Sequence, residues 1–245
     1  MLLELPAQGL PDYSVRVSSR AKYLRLTVSA THGIVVVAPK GFNQGRIPAL
    51  LEGRKAWLAK AIAKVHQRQR YSVQQAVDGL PEVILLTAIN RRWSVEYQPT
   101  QAGSISVMSR AEQCLVVRGN IQDRNACRTI LRRWLARQAH LQLVPWLRTL
   151  SEQHGLTFGK ATIKGQKTRW GSCSSERTIS LNYRLLFVPS YLVRYVLLHE
   201  LCHTVYMNHS RQYWELLGSL EPNCKALRRE LREHWLQVPA WVVTP

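Results

Sequence analysis

The stretch that most constrains the fold of this chain is residues 195–209, which contain the pattern His-Glu-x-x-His. Side chains four positions apart lie on one face of a helix, so His199 and His203 can direct both imidazoles at one metal ion. Glu200 falls beside that ion, where its carboxylate can accept a proton from a metal-bound water. The surrounding residues predict a helix with a buried face, because they are apolar: Val196, Leu197, Leu198 and Leu201.

A catalytic zinc site uses three protein ligands and leaves one position open, so a third ligand must come from outside this motif. His209 lies six residues beyond His203, the gap of the metzincin pattern H-E-x-x-H-x-x-G-x-x-H. Tyr206 occupies the glycine position of that pattern, and Asn208 could supply the turn through a left-handed conformation. The alternative ligand is a glutamate of the following helix, as in gluzincins, and Glu215 is the best placed.

The same residues could form an ordinary helix face, because a bare H-E-x-x-H also arises by chance. Burying three histidines and a glutamate without an ion costs free energy, which favours the metal site. Imidazoles suit zinc, and the expected complement is one Zn²⁺ per chain. Helix geometry turns Cys202 away from His199, so it is interpreted as a small buried hydrophobic residue, whereas Cys173 could in principle reach the metal.

Composition indicates a globular and strongly basic protein. The chain has 245 residues, of which 46% are hydrophobic, enough to bury a core. Its formal charge of +19 favours an acidic partner such as nucleic acid, a nucleotide or an anionic surface. The charge is spread along the chain and forms no known nucleic-acid-reading motif, so a generally basic, solvated surface explains it equally well.

The cysteine pattern and the hydropathy predict a soluble cytoplasmic protein. The five cysteines are odd in number and form no C-x-x-C pair, which argues against a disulfide framework and a zinc ribbon. Free thiols suit the reducing cytosol. The first residues lack the basic and apolar regions of a signal peptide, and no apolar window is long enough for a membrane helix.

Periodicity divides the chain into two predicted domains. Short alternating runs over residues 13–38 and 83–117 predict strands, whereas residues 43–69 have the spacing of one amphipathic helix. Residues 71–81 have the composition of a loop. Residues 1–119 are therefore expected to form a mainly antiparallel β-module with one long helix, and residues 120–245 a second domain.

The second domain begins with a helical pattern from Gln122 to about Gln153. Pro145 lies inside this pattern and is expected to kink the helix or to start a second one. Residues 156–183 return to strand character directly before the metal helix. The edge of such a strand pair can hold an extended peptide by backbone hydrogen bonds.

Four blocks in this half of the chain occur in order with regular gaps: Arg-Trp-Gly-Ser-Cys-Ser (169–174), Leu-Asn-Tyr-Arg-Leu (181–185), Tyr-Val-Leu-Leu-His-Glu-Leu-Cys-His (195–203) and Asn-His-Ser…Tyr-Trp (208–214). Together they resemble the YgjP-like metallopeptidases, which are related to the SprT-type zincins. The resemblance is strongest over residues 160–235 and looser in the N-terminal half. It implies an α+β protein whose second domain is a zincin-like helical catalytic domain with a small β-sheet.

The resemblance also implies roles for individual residues. By it, His199, His203 and His209 are the metal ligands and Glu200 is the catalytic base of a metal-dependent hydrolase, nominally a peptidase. The expected partner is a peptide or protein substrate. SprT-type relatives act on proteins bound to DNA, which agrees with the basic charge only by analogy. The family has phenylalanine where this chain has Tyr213, a departure expected to alter packing alone.

The predicted mechanism is peptide hydrolysis by a zinc-activated water. Zinc lowers the pKa of bound water to about 7 and polarises the carbonyl, while Glu200 takes the proton and passes it to the leaving amine. A further donor must stabilise the oxyanion. Four side chains are candidates for this role or for binding substrate, although a structural role is the favoured explanation for each: Arg169, Asn182, Arg184 and Tyr206.

Two other functions compete with this one. A metal-dependent hydrolase of nucleotide phosphoanhydrides agrees with the charge, but the chain has no Walker-type loop and histidines are softer ligands than magnesium prefers. A nucleic-acid-binding protein with a structural metal is the second alternative. Structural zinc sites usually have four protein ligands and no neighbouring base, so Glu200 argues against it.

Overall fold

The computed structural model describes residues 11–29, 33–63, 65 and 79–243. The chain divides into two compact units, Met1–Val77 and Asp78–Pro245. The first unit contains a three-stranded sheet of β1 (Tyr13–Ser18), β2 (Arg25–Ser29) and β3 (Gly33–Pro39) in the order β1-β3-β2. The central strand β3 pairs in parallel with β1 and antiparallel with β2. Alternate residues of β3 are buried, as expected for a sheet with one face on a core.

The single helix predicted over residues 43–69 is wrong, because the chain turns at Gly53. Two short helices replace it, α1 (Ile47–Glu52) and α2 (residues 55–63). Glycine has a low helix propensity, which favours an interruption at this position. Ile47, Leu51 and Leu58 still reach the core, because the apolar spacing continues across the turn. Residues 66–69 and most of the predicted loop 71–81 lie outside the described residues.

The second unit begins with a four-stranded sheet. Its strands are β4 (Val83–Leu86), β5 (Arg91–Pro99), β6 (Ser106–Arg110) and β7 (Cys114–Gly119), in the order β4-β5-β7-β6. The β5–β7 pair is parallel and the two outer pairs are antiparallel. Of the five strand pairs described before residue 120, three are antiparallel. The sheet buries one set of its apolar side chains in the same core as the following helix, whereas Val83, Leu85 and Met108 stay exposed.

That helix is α3 (Arg124–His154), which runs without interruption through Pro145. The Asp123 carboxylate caps its start by accepting from the Ala126 amide, and Gly155 ends it in the left-handed conformation at φ 65°. No second helix starts at Pro145, since Val144 and Leu147 on either side are buried within one continuous helix, and the kink that was the other predicted outcome stays a prediction. The domain boundary predicted after residue 119 falls inside this unit. Whether residues 1–119 and 120–245 fold independently stays a prediction.

The rest of the unit contains the helix that carries His199 and His203, with the elements before and after it. A second three-stranded sheet consists of β8 (Lys160–Lys164), β9 (Gly171–Cys173) and β10 (Thr178–Asn182), with β9 at one edge. Four helices follow: α4 (Ser190–Cys202), α5 (Arg211–Leu220), α6 (Cys224–Leu231) and α7 (Ala240–Val243). The predicted α+β class is confirmed by this arrangement. None of the helices in the described residues is long and apolar enough to cross a membrane.

Candidate metal centre and active site

Three histidines converge at the end of α4. His199 lies in its last turn, His203 follows directly as the residue that closes the helix, and His209 comes from the loop before α5. One ring nitrogen from each histidine lies within 4.8 Å of the others, and the Nε2 atoms of His199 and His209 are 3.4 Å apart. These three residues are the set that the sequence predicted as metal ligands.

The loop between His203 and His209 turns back by hydrogen bonds to the helix end. The Tyr206 amide donates to the Cys202 carbonyl at 3.0 Å, and His203 Nδ1 lies 3.0 Å from the Tyr206 carbonyl oxygen. The prediction that Asn208 supplies a left-handed turn is wrong, since its φ is not positive. The helix end makes the turn instead, and the Ser210 hydroxyl then caps α5 by accepting from the Tyr213 amide.

A buried tyrosine fixes the orientation of His199. The Tyr213 hydroxyl lies 2.6 Å from His199 Nδ1 and donates to the His199 carbonyl oxygen at 3.1 Å. With its one proton given to the carbonyl, the hydroxyl accepts from Nδ1–H, which leaves Nε2 of His199 free for a metal. The expectation that Tyr213 only alters packing is therefore wrong, because its hydroxyl bonds a predicted ligand.

Two of the three imidazoles, those of His199 and His209, have pKa values shifted towards the neutral form that a metal needs. Burial, together with the neighbouring His203 and His209, lowers the pKa of His199 to about 3. The pKa of His209 is also lowered, chiefly by burial. A neutral imidazole keeps its nitrogen lone pair, so these rings can coordinate a metal without first losing a proton.

Glu200 is buried beside this cluster, with a side chain that is only 4% exposed. Burial raises the pKa of its carboxyl to about 8, and the nearby Arg169 guanidinium opposes the shift. Its Oε2 atom is enclosed and forms no hydrogen bond with the described residues. A cation held by the three imidazoles would stabilise the carboxylate form. Three nitrogen donors with a buried carboxyl next to them fit a catalytic zinc ion.

Gly171 lies directly against the Glu200 carboxyl, which the sequence did not predict. A Cβ atom at this position would stand 2.5 Å from Glu200 Oε1 and 2.8 Å from Cδ. The absence of a side chain on β9 therefore gives the carboxyl its space. The signal available in the sequence was the Arg-Trp-Gly-Ser block, whose glycine was not assigned a role.

A family model described as a YgjP-like metallopeptidase domain matches residues 22–234. The chain belongs to the YgjP-like metallopeptidase family. This confirms the resemblance seen in the sequence, and members of a metallopeptidase family act on peptide or protein substrates. No curated protein sequence matches the chain significantly.

Among solved structures, the metallopeptidase zymogen jannalysin of Methanocaldococcus jannaschii is similar to part of this YgjP-like chain. The two share 19% sequence identity, and the TM-score is 0.35. The matched region covers 38% of this chain and 97% of jannalysin.

Two of the four oxyanion candidates of this family member use their polar groups in structural hydrogen bonds. The Asn182 amide donates to the carbonyl oxygens of Gln166 and Arg169, and its own oxygen accepts from the Arg184 amide. The buried Arg184 guanidinium donates to the carbonyl oxygens of Gln166 and Val242. Both side chains thus help to hold the loop before β9, although the buried Arg184 Nε forms no hydrogen bond with the described residues.

The other candidates lie closer to the cluster. Arg169 is exposed and near Glu200, and Tyr206 is partly exposed in the loop between two of the histidines. Glu215, the alternative third ligand, pairs with Arg211 at 2.7 Å and does not join the histidine cluster. Cys202 is fully buried as expected, and Cys173 is not among the clustered ligand atoms.

Removing the Tyr213 hydroxyl is expected to weaken metal binding. In Tyr213→Phe, Nδ1 of His199 loses its acceptor, so the ring is less firmly held with Nε2 towards the site. Such outer hydrogen bonds to metal ligands are worth about 10- to 100-fold in affinity. Zinc affinity would be measured by competition with a chelating dye, and the tautomer of His199 by nitrogen NMR.

The matched control is Tyr195→Phe. It also removes the hydroxyl of a buried tyrosine, but this tyrosine lies on α4 rather than on α5. The Tyr195 ring lies 6.0 Å from the His199 ring, and its hydroxyl forms no hydrogen bond to that histidine. Equal zinc affinity in the two variants, with an unchanged His199 tautomer, would show that Tyr213 contributes packing alone.

Proposed function

We propose that this protein is a zinc-dependent metallopeptidase that uses Glu200 as its proton-transferring base. The observation that supports it best is the convergence of His199, His203 and His209 beside the buried Glu200 carboxyl, whose Oε2 forms no hydrogen bond with a described residue. A structural zinc site has little need of such a carboxyl, since its four positions are filled by protein ligands. The arrangement therefore favours catalysis over a structural role.

The three imidazoles would hold the zinc ion through the nitrogens that face one another. When bound, zinc polarises the scissile carbonyl and lowers the pKa of a water molecule to about 7. Glu200 takes the proton from the attacking water and delivers it to the nitrogen of the leaving amine. Burial raises the pKa of the Glu200 carboxyl and a bound cation would lower it, and these opposing effects suit a group that must both take up and release a proton near neutral pH.

The edge of β9 is the proposed binding place for the substrate backbone. Trp170 and Ser174 direct their backbone hydrogen bonds at β10. Because hydrogen bonding alternates along an antiparallel pair, Gly171 and Cys173 turn their amide and carbonyl groups to the other side. An extended peptide could add to this edge as a further strand. Its scissile bond would then lie next to Glu200, because the Glu200 carboxyl packs directly against the Gly171 backbone.

Arg169 and Tyr206 are the proposed sources of the donor that stabilises the oxyanion. Neither side chain forms a hydrogen bond with another of the described residues. Arg169 also carries a positive charge close to Glu200, which would offset negative charge that develops in the transition state. Asn182 and Arg184 would support the loop that carries Arg169.

The test is metal removal and restoration on the wild-type chain. Protein purified without added metal is expected to contain one zinc per chain by elemental analysis and to cleave members of a peptide library. A chelator should abolish cleavage, and stoichiometric zinc should restore it. Phosphate release from nucleotides and cleavage of protein–DNA adducts would be measured in parallel. Metal-dependent phosphate release without peptide cleavage would refute a peptidase in favour of a nucleotide hydrolase.

A further inference from the structure

A cationic groove lies between α5 and α6, beside the histidine cluster. Its volume is about 720 Å³. It is lined by one aromatic residue, one acidic residue and five basic residues: Trp214, Glu215, Arg211, Lys225, Arg228, Arg229 and Arg232. The basic residues of α6 follow a spacing of three and four, so they repeat along one face of that helix. The proposed mechanism uses none of them.

The groove carries more positive charge than its own carboxylate can neutralise. Glu215 pairs with Arg211 at 2.7 Å, so these two charges cancel. The other four cations form no ion pair within the part of the chain that the structure describes. Like charges on one helix face repel each other, which destabilises the groove when it is empty. An acidic ligand relieves this repulsion, so its binding is favoured.

Trp214 joins the groove to the metal centre. Its ring stacks on the His209 ring with centroids 5.5 Å apart, and the Arg228 guanidinium lies 5.0 Å above the same indole. Arg228 also contributes to lowering the pKa of both His199 and His209, so its field reaches the cluster. A polypeptide bound at the histidines would therefore place neighbouring side chains in this groove.

We propose that the groove binds acidic side chains of the polypeptide substrate close to the scissile bond. This inference rests on the proposed peptidase function and adds a preference for acidic sequences. Guanidinium groups pair with carboxylates through two parallel hydrogen bonds, and three of the four uncompensated cations are arginines. A single-stranded nucleic acid would need open aromatic rings for its bases, whereas His209 and Arg228 already pack on Trp214.

The test is a binding assay that needs no hydrolysis. The probe is a fluorescein-labelled peptide with a central block of glutamates, compared with a peptide that has glutamines at the same positions. Both are titrated with the full chain carrying Glu200→Gln, at low ionic strength. The glutamate peptide is expected to bind about tenfold tighter, the order expected of several weak surface ion pairs acting together. Added salt should reduce the difference.

A paired charge reversal assigns the preference to the groove. Arg229→Glu with Arg232→Glu should abolish the difference between the two peptides. Arg133→Glu with Arg137→Glu makes the same change in net charge on the exposed face of α3 and should leave the difference intact. Circular dichroism checks that the variants fold. If the charge-reversed groove variant does not fold, Arg229→Gln with Arg232→Gln takes its place. This neutral variant should remove most of the difference in affinity between the two peptides.

Three outcomes would overturn the inference. Equal binding of the two peptides would show that acidic side chains are not recognised. An equal loss in the α3 control would assign the effect to net charge rather than to the groove. A single-stranded oligonucleotide that binds tighter than the glutamate peptide, and loses affinity in the groove variant, would identify nucleic acid as the ligand. Peptide cleavage in the metal experiment is independent of all three.

Discussion

Replacing Glu200 by glutamine is expected to abolish most peptide hydrolysis while the protein keeps its fold and its metal. The amide has nearly the shape of the carboxylic acid, so it fits the buried space against Gly171. It cannot accept and return a proton at neutral pH, which removes a contribution of about 10²- to 10⁴-fold to the rate. The measurement is kcat on a cleaved peptide, together with zinc content and thermal unfolding.

The matched control is Glu176→Gln, which neutralises an exposed carboxylate in the turn between β9 and β10. It makes the same change of atoms and of net charge without touching the cluster, so its kcat should stay that of the wild type. A Glu200→Gln protein that binds zinc and retains its rate would exclude Glu200 as the base. Loss of both zinc and rate would instead assign Glu200 a role in holding the metal.

Replacing His209 by alanine is expected to remove most of the bound zinc. The site would keep only two of its three protein ligands, and zinc held by two imidazoles exchanges readily with solution. His209 is exposed, so its truncation leaves no cavity in the core, and unfolding is not expected to cause the loss. Zinc per chain after gel filtration, measured by elemental analysis, gives the result.

Glu215→Ala is the comparison that separates the two candidate ligand sets. Its carboxylate pairs with Arg211 on the surface of α5, so zinc content should equal that of the wild type. The reverse pattern, with zinc retained in His209→Ala and lost in Glu215→Ala, would require a rearrangement that makes the glutamate the third ligand. His203→Ala should lose zinc under either assignment and serves as the common reference.

Several elements of the fold could be predicted because they depend on local spacing. The strands of both N-terminal sheets follow the alternation of apolar residues, and α3 ends where Gly155 permits a left-handed residue. The prediction of one helix over residues 43–69 was wrong, since Gly53 interrupts the helical pattern of the first unit. Of the two outcomes predicted for Pro145, a second helix does not occur, because its buried neighbours belong to one long helix.

The candidate site divides in the same way. The positions of His199 and His203 follow from helical spacing, and the six-residue gap brings His209 within reach after a turn. The turn itself was predicted through Asn208 but is made by hydrogen bonds to Cys202 and Tyr206. Asn182 illustrates the limit further, since its three hydrogen-bond partners become visible only when the loop before β9 is folded against it.

The sequence by itself determined the ligand set proposed for the metal, the residue proposed as the base, the α+β class and the family, because these depend on residue type and on spacing along the chain. Only the tertiary structure decided that Gly171 makes room for Glu200, that the Tyr213 hydroxyl orients His199, and that α5 and α6 form a cationic groove beside His209. Each of these contacts joins residues on different elements. Their distances are set by how the helices and the edge strand pack, which no spacing along the chain specifies.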